Sequence, residues 1–253
     1  MNKTALITGA TAGIGEAIAK KLASLKYHLI LTGRRKARLE SLKKNLQSQF
    51  NIQIKILAFD IRNKDAVYQN IDTLEPEWQN IDVLINNAGL AAGLSSIQEG
   101  DMEDWEQMID TNIKGLLYIS RKISPLMIAR KEGQIINIGS IAGKEVYPNG
   151  GVYCSTKYAV DAISKSMRID MLPHGIKVSA IHPGMVDTEF STVRFKGDKK
   201  KAKAVYKGLT PLYAQDIAEA VEFILSRPAH VNINDMLIMP TDQATATINV
   251  KTI

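Results

Sequence analysis

The chain has 253 residues, of which 45% are hydrophobic and 23% charged, with a formal net charge of +6. This is an ordinary globular composition, long enough to bury a full core, and no stretch approaches the ~20 apolar residues of a membrane span. The positive charge does not indicate nucleic-acid binding, because the lysines are scattered and their one dense run, residues 196–203, has no interleaved aromatic residue.

The cysteine content and the N-terminus both favour a cytoplasmic protein. A single cysteine, Cys154, excludes an intrachain disulfide and fits a reducing compartment. Free cysteine is more often a small buried hydrophobe than a nucleophile, so Cys154 is interpreted as a packing residue. The first residues run directly into a strand pattern, with no signal-peptide pattern.

The first elements are a buried strand (residues 3–8), a glycine-rich turn and an amphipathic helix reaching about Lys26. Glycines in a turn between a strand and a helix allow the backbone to approach a pyrophosphate, which the N–H groups of the helix N-terminus bind. The spacing is G-x-x-x-G-x-G rather than G-x-G-x-x-G. The turn residues are Gly9, Ala10, Thr11, Ala12, Gly13, Ile14 and Gly15.

The second strand, residues 28–32, ends at Gly33-Arg34-Arg35. At this distance from the glycines an acidic residue binds the ribose 2′-hydroxyl of NAD, whereas arginine accommodates the 2′-phosphate of NADP. A guanidinium matches phosphate geometry. Arg34 and Arg35 therefore predict NADP.

Polar side chains end the next two predicted strands. After a helix (36–49), the strand 53–59 ends at Asp60-Ile61, where a carboxylate could accept a hydrogen bond from adenine. After a helix (63–75) closed by Pro76, the strand 82–85 ends at Asn86-Asn87-Ala88-Gly89. The paired amides suggest a turn that braces neighbouring strands beside the cofactor, although Asn and Gly are ordinary turn residues.

A long helix is predicted over residues 101–130, with Asn112 and Gly115 in its interior. Both residues are locally unfavourable there, which is expected at a functional site but also has packing explanations. The following strand, residues 134–139, delivers Ser140 to the carboxyl edge of the sheet.

Tyr153 and Lys157 lie four residues apart in a predicted helix, 152–170, and so share one face. An ammonium one turn away favours the phenolate and is expected to lower the phenol pKa from about 10 toward the working range. Together with the Ser140 hydroxyl, these groups suit proton transfer at a substrate oxygen.

The remaining segments continue the alternation. A strand (177–181) leads into His182 and the turn 183–188. His182 is a poor candidate base, because the four histidines show no metal or triad spacing. Residues 188–208 look like a lid, 214–226 a helix and 234–239 a strand, and the tail 240–253 has no clear period. These elements predict one α/β domain over residues 1–253, a doubly wound (Rossmann) parallel sheet of about seven strands with helices on both faces.

Read in order, the motifs resemble those of the short-chain dehydrogenase/reductase family over essentially the whole chain. They are Thr8-Gly9-x-x-x-Gly13-Ile14-Gly15, Asn86-Asn87-Ala88-Gly89, Asn112, Ser140, Tyr153-x-x-x-Lys157 and Pro183-Gly184. The ordered set is far more specific than any one of its members.

The resemblance implies a role for each matching residue. Tyr153 would exchange the proton, Lys157 would hold the nicotinamide ribose and lower the phenol pKa, Ser140 would position the substrate oxygen, and Asn112 would anchor a relay water. The implied NADP site comprises Gly9, Thr11, Ala12, Gly13, Ile14, Gly15, Arg34, Arg35, Asp60, Ile61, Asn87, Ala88, Gly89, Tyr153, Lys157, Pro183, Gly184, Val186 and Thr188.

A narrower resemblance, to NADP-dependent serine and 3-hydroxy acid dehydrogenases, rests on residues 139–144, 190–198 and 227–234. It implies oxidation of the 3-hydroxyl of serine, allo-threonine and 3-hydroxyisobutyrate-like acids, and a homotetramer. Such acids need a cation for their carboxylate, and Arg194 in the lid is the candidate, although a surface arginine is the equal alternative.

Three other functions stay open on the sequence. One is an NADPH-dependent carbonyl reductase of aldehydes and ketones. Another is a non-catalytic NADP-sensing regulator, which the intact Ser140, Tyr153 and Lys157 disfavour. The third is an isomerase or dehydratase, which would give no net change in cofactor absorbance.

Overall fold

The computed structural model describes residues 2–251, in which strands and helices alternate. The strands are β1 (Thr4–Ile7), β2 (His28–Gly33), β3 (Ile54–Ala58), β4 (Val83–Asn86), β5 (Gln134–Ile138), β6 (Lys177–Pro183), β7 (Val186–Asp187), β8 (Leu212–Tyr213) and β9 (Asp235–Ile238). The α-helices are α1 (Gly13–Ser24), α2 (Lys36–Gln49), α3 (Lys64–Asp72), α4 (Met102–Ile109), α5 (Leu116–Arg130), α6 (Gly151–Met171), α7 (Phe190–Arg194), α8 (Lys199–Val205) and α9 (Ala214–Leu225). Within residues 2–251, no helix combines the length and apolar character needed to cross a bilayer.

Seven parallel strands form the central sheet, in the order β3-β2-β1-β4-β5-β6-β9. The strand order reverses between β1 and β4, which pair directly. In a doubly wound sheet, ligands bind in the crevice at this reversal, outside the carboxyl ends of the strands. The predicted fold class is therefore confirmed.

Strand residues alternate between two hydrophobic layers, as a sheet covered on both faces requires. Ala5 and Ile7 of β1 join the layer beneath α1, α2 and α9, whereas Leu6 between them joins the layer beneath α3, α5 and α6. All three side chains are fully buried. This double burial explains why the strands read as continuous apolar runs.

The predicted helix 101–130 is interrupted in its middle. Residues Asp110–Gly115 form a π-helical turn between α4 and α5, and this turn contains Asn112 and Gly115. A Cβ added to Gly115 would lie 2.9 Å from the Ile61 Cγ2, so glycine is needed for the helix to pass the loop after β3. The two residues that are unfavourable in a regular α-helix thus lie in a widened π-helical turn, a feature frequent at functional sites.

Pro76 does not close the third helix as predicted. α3 already ends at Asp72, where the Thr73 hydroxyl donates to the Gln69 carbonyl at 2.8 Å and so satisfies a terminal backbone group. Pro76 instead opens a 3₁₀ turn, Pro76–Trp78, that buries Trp78.

The predicted lid contains α7 and α8, flanked by a small parallel pair of β7 and β8 that the sequence did not indicate. The Asp198 carboxylate accepts from the backbone N–H groups of Lys200 and Lys201 at 3.0 Å each, so the lysine run is the capped first turn of α8. The tail contains an isolated bridge between Gln243 and Asn249, and Gln243 is buried.

Candidate active site

The ends of β1 and β4 are joined by the Thr8 hydroxyl. Its oxygen accepts from the backbone N–H of Asn87 at 3.0 Å and of Ala88 at 2.9 Å, and it donates to the Ile85 carbonyl at 3.3 Å. The Asn87 amide donates in return to the Thr8 carbonyl at 2.9 Å. These bonds fix the relative position of the glycine-rich turn and the loop after β4.

Glycine is required at the start of this turn for two reasons. Gly9 has a φ of 68°, and a Cβ there would lie 2.9 Å from the Ala88 Cα. At Gly13 a Cβ would lie 3.2 Å from the Thr188 Cβ, so the turn also approaches the segment after β6 closely. The glycine-rich turn thus lies so close to Ala88 and Thr188 that a side chain at either glycine would force these segments apart.

A cavity of about 490 Å³ opens at the carboxyl edge of the sheet beside this turn. All but two of the predicted site residues line it: Gly9, Thr11, Ala12, Gly13, Ile14, Arg34, Arg35, Asp60, Ile61, Asn87, Ala88, Gly89, Ser140, Tyr153, Lys157, Pro183, Gly184, Val186, Thr188 and Arg194. The two others, Gly15 and Asn112, lie behind the wall. Gly15 is in the tight turn, where a Cβ would lie 2.4 Å from the Gly9 carbonyl oxygen.

The wall near α1 fits a dinucleotide. Ala12 at the N-cap of α1 makes no side-chain hydrogen bond, so it caps none of the helix's first N–H groups. Together with the cradle at Gly9 and Gly13, these backbone donors suit a pyrophosphate.

Arg35, directly after β2, forms an ionic cluster with the lid. Arg35 donates through Nη1 to Glu189 at 2.9 Å and through Nε and Nη2 to the Thr11 hydroxyl at 3.1 and 2.9 Å. Arg38, one turn further along α2, donates to Glu189 at 2.8 Å. Hydrogen bonds from Arg35 and then Arg38 lower the pKa of Glu189. Arg34, by contrast, has within the described residues a single, distant ionic partner, Asp60, at 3.9 Å.

Asp60 lies at the predicted place but is engaged by a neighbouring side chain. Arg62 donates to its two carboxylate oxygens at 3.1 and 2.7 Å. Burial acts to raise the pKa of Asp60, but the hydrogen bonds and charge of Arg62 outweigh it and lower the pKa. The carboxylate thus stays ionised beside the cavity, with a fixed orientation.

Asn112 supports the wall rather than forming it. Its Oδ1 accepts from the Leu90 N–H at 2.9 Å, and its Nδ2 donates to the Leu90 carbonyl at 2.8 Å and to the Thr156 hydroxyl at 3.0 Å. The side chain is 2% exposed. The π-helical turn therefore ties the loop after β4 to α6.

Ser140, Tyr153 and Lys157 all line the cavity. The Lys157 Nζ donates to the Ile138 carbonyl at 3.0 Å and lies 6.0 Å from the centre of the Tyr153 ring. The Ser140 Oγ accepts from the Ala142 N–H at 3.1 Å. Tyr153 and Lys157 are 8% and 6% exposed, so both operate in a largely dry environment.

The expected lowering of the Tyr153 pKa by Lys157 does not occur in this structure. Burial is the largest influence and raises the pKa of Tyr153, with smaller opposing effects from Ser140 and Arg194. Burial also lowers the pKa of Lys157, to about 8. Desolvation thus brings the lysine, rather than the tyrosine, toward neutral pH.

Arg194 lies over the predicted catalytic residues. Its guanidinium carbon is 5.2 Å from the centre of the Tyr153 ring, and the side chain donates through Nε to the Gly93 carbonyl at 3.3 Å and through Nη2 to the Tyr147 hydroxyl. Within residues 2–251, Nη1 has no hydrogen-bond partner and no carboxylate pairs with Arg194.

Several cavity residues were missed by the sequence analysis: Tyr147, Glu189, Phe190, Tyr206, Gln243 and Ala246. Arg38, which pairs with Glu189, was also missed, although its position one helical turn after Arg35 was a usable signal. Tyr147 and the tail residues carry no local pattern that distinguishes them.

Comparison with known proteins places the chain in a family. The family model for short chain dehydrogenases matches residues 3–199, and the chain belongs to this family. The predicted fold, family and enzyme class are therefore confirmed.

Individual relatives resemble the chain along almost its whole length. The NADP-dependent 3-hydroxy acid dehydrogenase YdfG of Escherichia coli strain K12 is 45% identical, covering 97% of this chain and 98% of its own. The NADP-dependent 3-hydroxy acid dehydrogenase of Schizosaccharomyces pombe is 41% identical, covering 96% and 95%. A solved closed form of serine dehydrogenase complexed with NADP+ has a TM-score of 0.91 and 46% identity, covering 98% of both chains.

Gly9→Ala is expected to destabilise the protein and weaken cofactor binding, because the variant combines left-handed strain of about 1–2 kcal/mol with a backbone clash. Gly197→Ala is the matched control, because Gly197 has a φ of 93° but nothing within 4 Å of an added Cβ. Thermal melts and NADPH fluorescence titrations compare the two. Equal losses in both would show that the close approach to Ala88 is unimportant.

Lys157 should give the stability a measurable pH dependence. Its pKa falls from 10.5 unfolded to about 8 folded, so between these values the unfolded chain binds more protons and the free energy of unfolding rises with pH. The raised pKa values of Tyr153 and Cys154 act oppositely only above their ordinary values of 10.0 and 9.0, which leaves a window from about pH 8 to pH 9. Urea unfolding of wild type and Lys157→Met across this window should show the steeper rise in wild type. Parallel curves would contradict the assignment.

Proposed function

We propose that the protein is an NADP-dependent oxidoreductase that oxidises the 3-hydroxyl of small 3-hydroxy acids, such as serine, allo-threonine and 3-hydroxyisobutyrate-like acids. The observation that carries this proposal is the unpaired Arg194 guanidinium over the Tyr153 ring, at 5.2 Å. The names of the relatives from Escherichia coli and Schizosaccharomyces pombe, both 3-hydroxy acid dehydrogenases, support the same substrate class.

An unpaired cation at this position suits an anionic substrate. A half-buried guanidinium without a carboxylate has lost part of its hydration, and a substrate carboxylate on Nη1 would restore its charge balance. The Gly93 and Tyr147 contacts fix the plane of the guanidinium, so little rotamer freedom is lost on binding. A carboxylate held there would present its β-carbon hydroxyl to Tyr153 and Ser140.

The chain's residues divide the chemistry among them. Tyr153 takes the proton of the substrate hydroxyl, while Ser140 donates a hydrogen bond to the same oxygen and holds it in place. Lys157 binds the nicotinamide ribose, and its charge favours the tyrosinate once the site is assembled. Asn112 holds the Leu90 backbone and anchors a relay water. The bound NADP+ supplies the hydride acceptor for the substrate's carbinol carbon.

NADP rather than NAD is the cofactor. Arg34 and Arg35 line the cavity directly after β2, where a 2′-phosphate would be bound, and no acidic residue stands at these two positions to bind a 2′-hydroxyl. In the part of the chain that the structure describes, Arg34 has a single ionic contact, at 3.9 Å, whereas Arg35 is held by Glu189 and Thr11. The NADP dependence of the relatives supports this choice.

The protein acts as a single domain over residues 1–253, as a cytoplasmic homotetramer. Helices α5 and α6 carry exposed apolar side chains, Leu117 at 43% and Ile169 at 72%, which subunit contacts would cover. Within the described residues the one free cysteine is buried, which suits a reducing compartment.

The first test follows absorbance at 340 nm with NADP and NAD against L-serine, L-allo-threonine and 3-hydroxyisobutyrate. We expect turnover with NADP, and a loss of about 10²–10⁴-fold in Tyr153→Phe, because the phenyl ring keeps the packing and removes the proton acceptor. NADPH consumption with uncharged ketones alone would move the function to carbonyl reduction. A Tyr153→Phe variant that lacks turnover but retains the full biological effect of the wild-type protein would instead indicate a non-catalytic sensor.

Arg194→Gln should raise KM for L-serine and lower kcat/KM about 10–100-fold, the value of one charge-assisted hydrogen bond. The same variant should reduce an uncharged ketone at nearly the wild-type rate. Lys203→Gln is the control, because Lys203 is an exposed lid cation on α8 outside the cavity. Equal effects of Arg194→Gln on both substrates would remove the carboxylate role.

A further inference from the structure

His182 is a fully buried histidine directly before the Pro183–Gly184 turn, and it does not line the cavity. Its ring lies between the candidate active site on one side and a cluster of charges on the other. The cluster consists of Asp161 from α6, Asp235 from β9, Lys144 from the segment after β5, and Lys165 one turn beyond Asp161.

The first side of the ring contacts the backbone that carries Ser140. The His182 Nδ1 lies 3.3 Å from the Ser140 carbonyl oxygen. A Cβ on Gly139 would lie only 2.5 Å from this Nδ1, so the imidazole packs directly against the Gly139 backbone. The Gly139 N–H donates to the Ile181 carbonyl at 2.7 Å, which holds the two strand ends together.

The other side of the ring faces the carboxylates. The His182 Nε2 lies 3.4 Å from Asp235 and 3.7 Å from Asp161, and in the described chain it has no hydrogen-bond partner. Three such groups within 4.8 Å of one another could hold a metal ion. Here the Lys144 ammonium already contacts both carboxylates, at 2.8 and 2.7 Å. The chain thus supplies its own cation at this point.

This arrangement determines where the imidazole hydrogen is used. Burial lowers the pKa of His182, so the ring is neutral at physiological pH and carries one hydrogen. Lys144 donates to both carboxylates and Lys165 donates to Asp161 at 2.7 Å. Within residues 2–251 the His182 Nε2 forms no hydrogen bond with either acid, whereas Nδ1 is within hydrogen-bond distance of the Ser140 carbonyl. The hydrogen is therefore best placed on Nδ1, where the Ser140 carbonyl accepts it.

We propose that His182 is a positioning residue for the reaction, donating from Nδ1 to the Ser140 carbonyl and so directing the Ser140 hydroxyl into the cavity, with the Lys144–Asp161–Asp235 cluster selecting this tautomer. The proposal rests on the proposed function, because it assigns Ser140 a role in the chemistry.

A pair of amide variants tests the hydrogen bond. The asparagine amide reaches the position of Nδ1 and the glutamine amide that of Nε2, so His182→Asn should keep kcat within about threefold of wild type. His182→Gln should lose about tenfold, the effect of one buried hydrogen bond. NADPH titration should give near-equal Kd values, and thermal melts separate folding losses from kcat losses. Equal kcat in the two variants, or losses that follow Tm alone, would overturn the proposal.

Lys144→Met tests the role of the charge cluster. Without the ammonium, Asp161 and Asp235 draw the imidazole hydrogen to Nε2 and raise the pKa of His182, with Lys165 the remaining cation nearby. Protonated His182 still donates to Ser140, but the neutral ring no longer does. The kcat of Lys144→Met should therefore fall as pH rises through this pKa, a step absent in wild type and in Lys144→Met/His182→Asn. A wild-type-like profile in Lys144→Met would contradict the tautomer argument.

Two further outcomes separate the alternatives. Wild-type kcat lost on chelation and restored by Zn²⁺ or Mn²⁺ would make the cluster a metal site and overturn the proposal. If the wild-type enzyme oxidised none of L-serine, L-allo-threonine and 3-hydroxyisobutyrate, only the proposed substrate class would be overturned. The Asn and Gln variants would then be compared in NADPH-dependent ketone reduction, which uses the same Ser140.

Discussion

The Thr8 hydroxyl makes the contact on which the rest of the site depends. By accepting two backbone hydrogen bonds from the loop after β4 and donating one to Ile85, it holds together the two strands between which the sheet reverses its order. The glycine-rich turn then has one position relative to Asn87 and Ala88. The other walls of the cavity, including the lid, surround this joined edge of the sheet.

The sequence predicted the fold well, because its elements are buried on both sides. Strands such as β1 and β4 are apolar except for one polar residue at an end, Thr4 and Asn86, so their runs and the glycine turn between β1 and α1 are visible without tertiary information. The π-helical turn was not predictable, since it arises from the approach of Gly115 to Ile61, a contact between distant segments. The same holds for β7 and β8, whose two-residue length carries no period.

The sequence indicated those parts of the candidate site whose residues lie close together in the chain. Tyr153 and Lys157 share a helix face, but the pKa of Tyr153 depends on its burial among elements that only the fold brings together. Glu189 shows the limit most clearly: an exposed lid carboxylate far from α2 in sequence, it pairs with both Arg35 and Arg38. Long-range ion pairs of this kind leave no spacing in a single sequence.

The Asn112 carboxamide has a consequence for how the loop after β4 is specified. It offers Leu90 one acceptor and one donor, the same pair that a neighbouring strand would offer. The Asn112 side chain thus takes the place of a neighbouring strand. The course of the loop is fixed by the hydrogen bonds of one residue instead of by a series of backbone hydrogen bonds. Aspartate, nearly identical in shape, would set an oxygen against the Leu90 carbonyl, and glutamine would shift the register. The course of the loop should therefore be less sensitive to substitutions in the loop itself than to substitution of Asn112, which hydrogen-bonds its backbone from a distant helical turn.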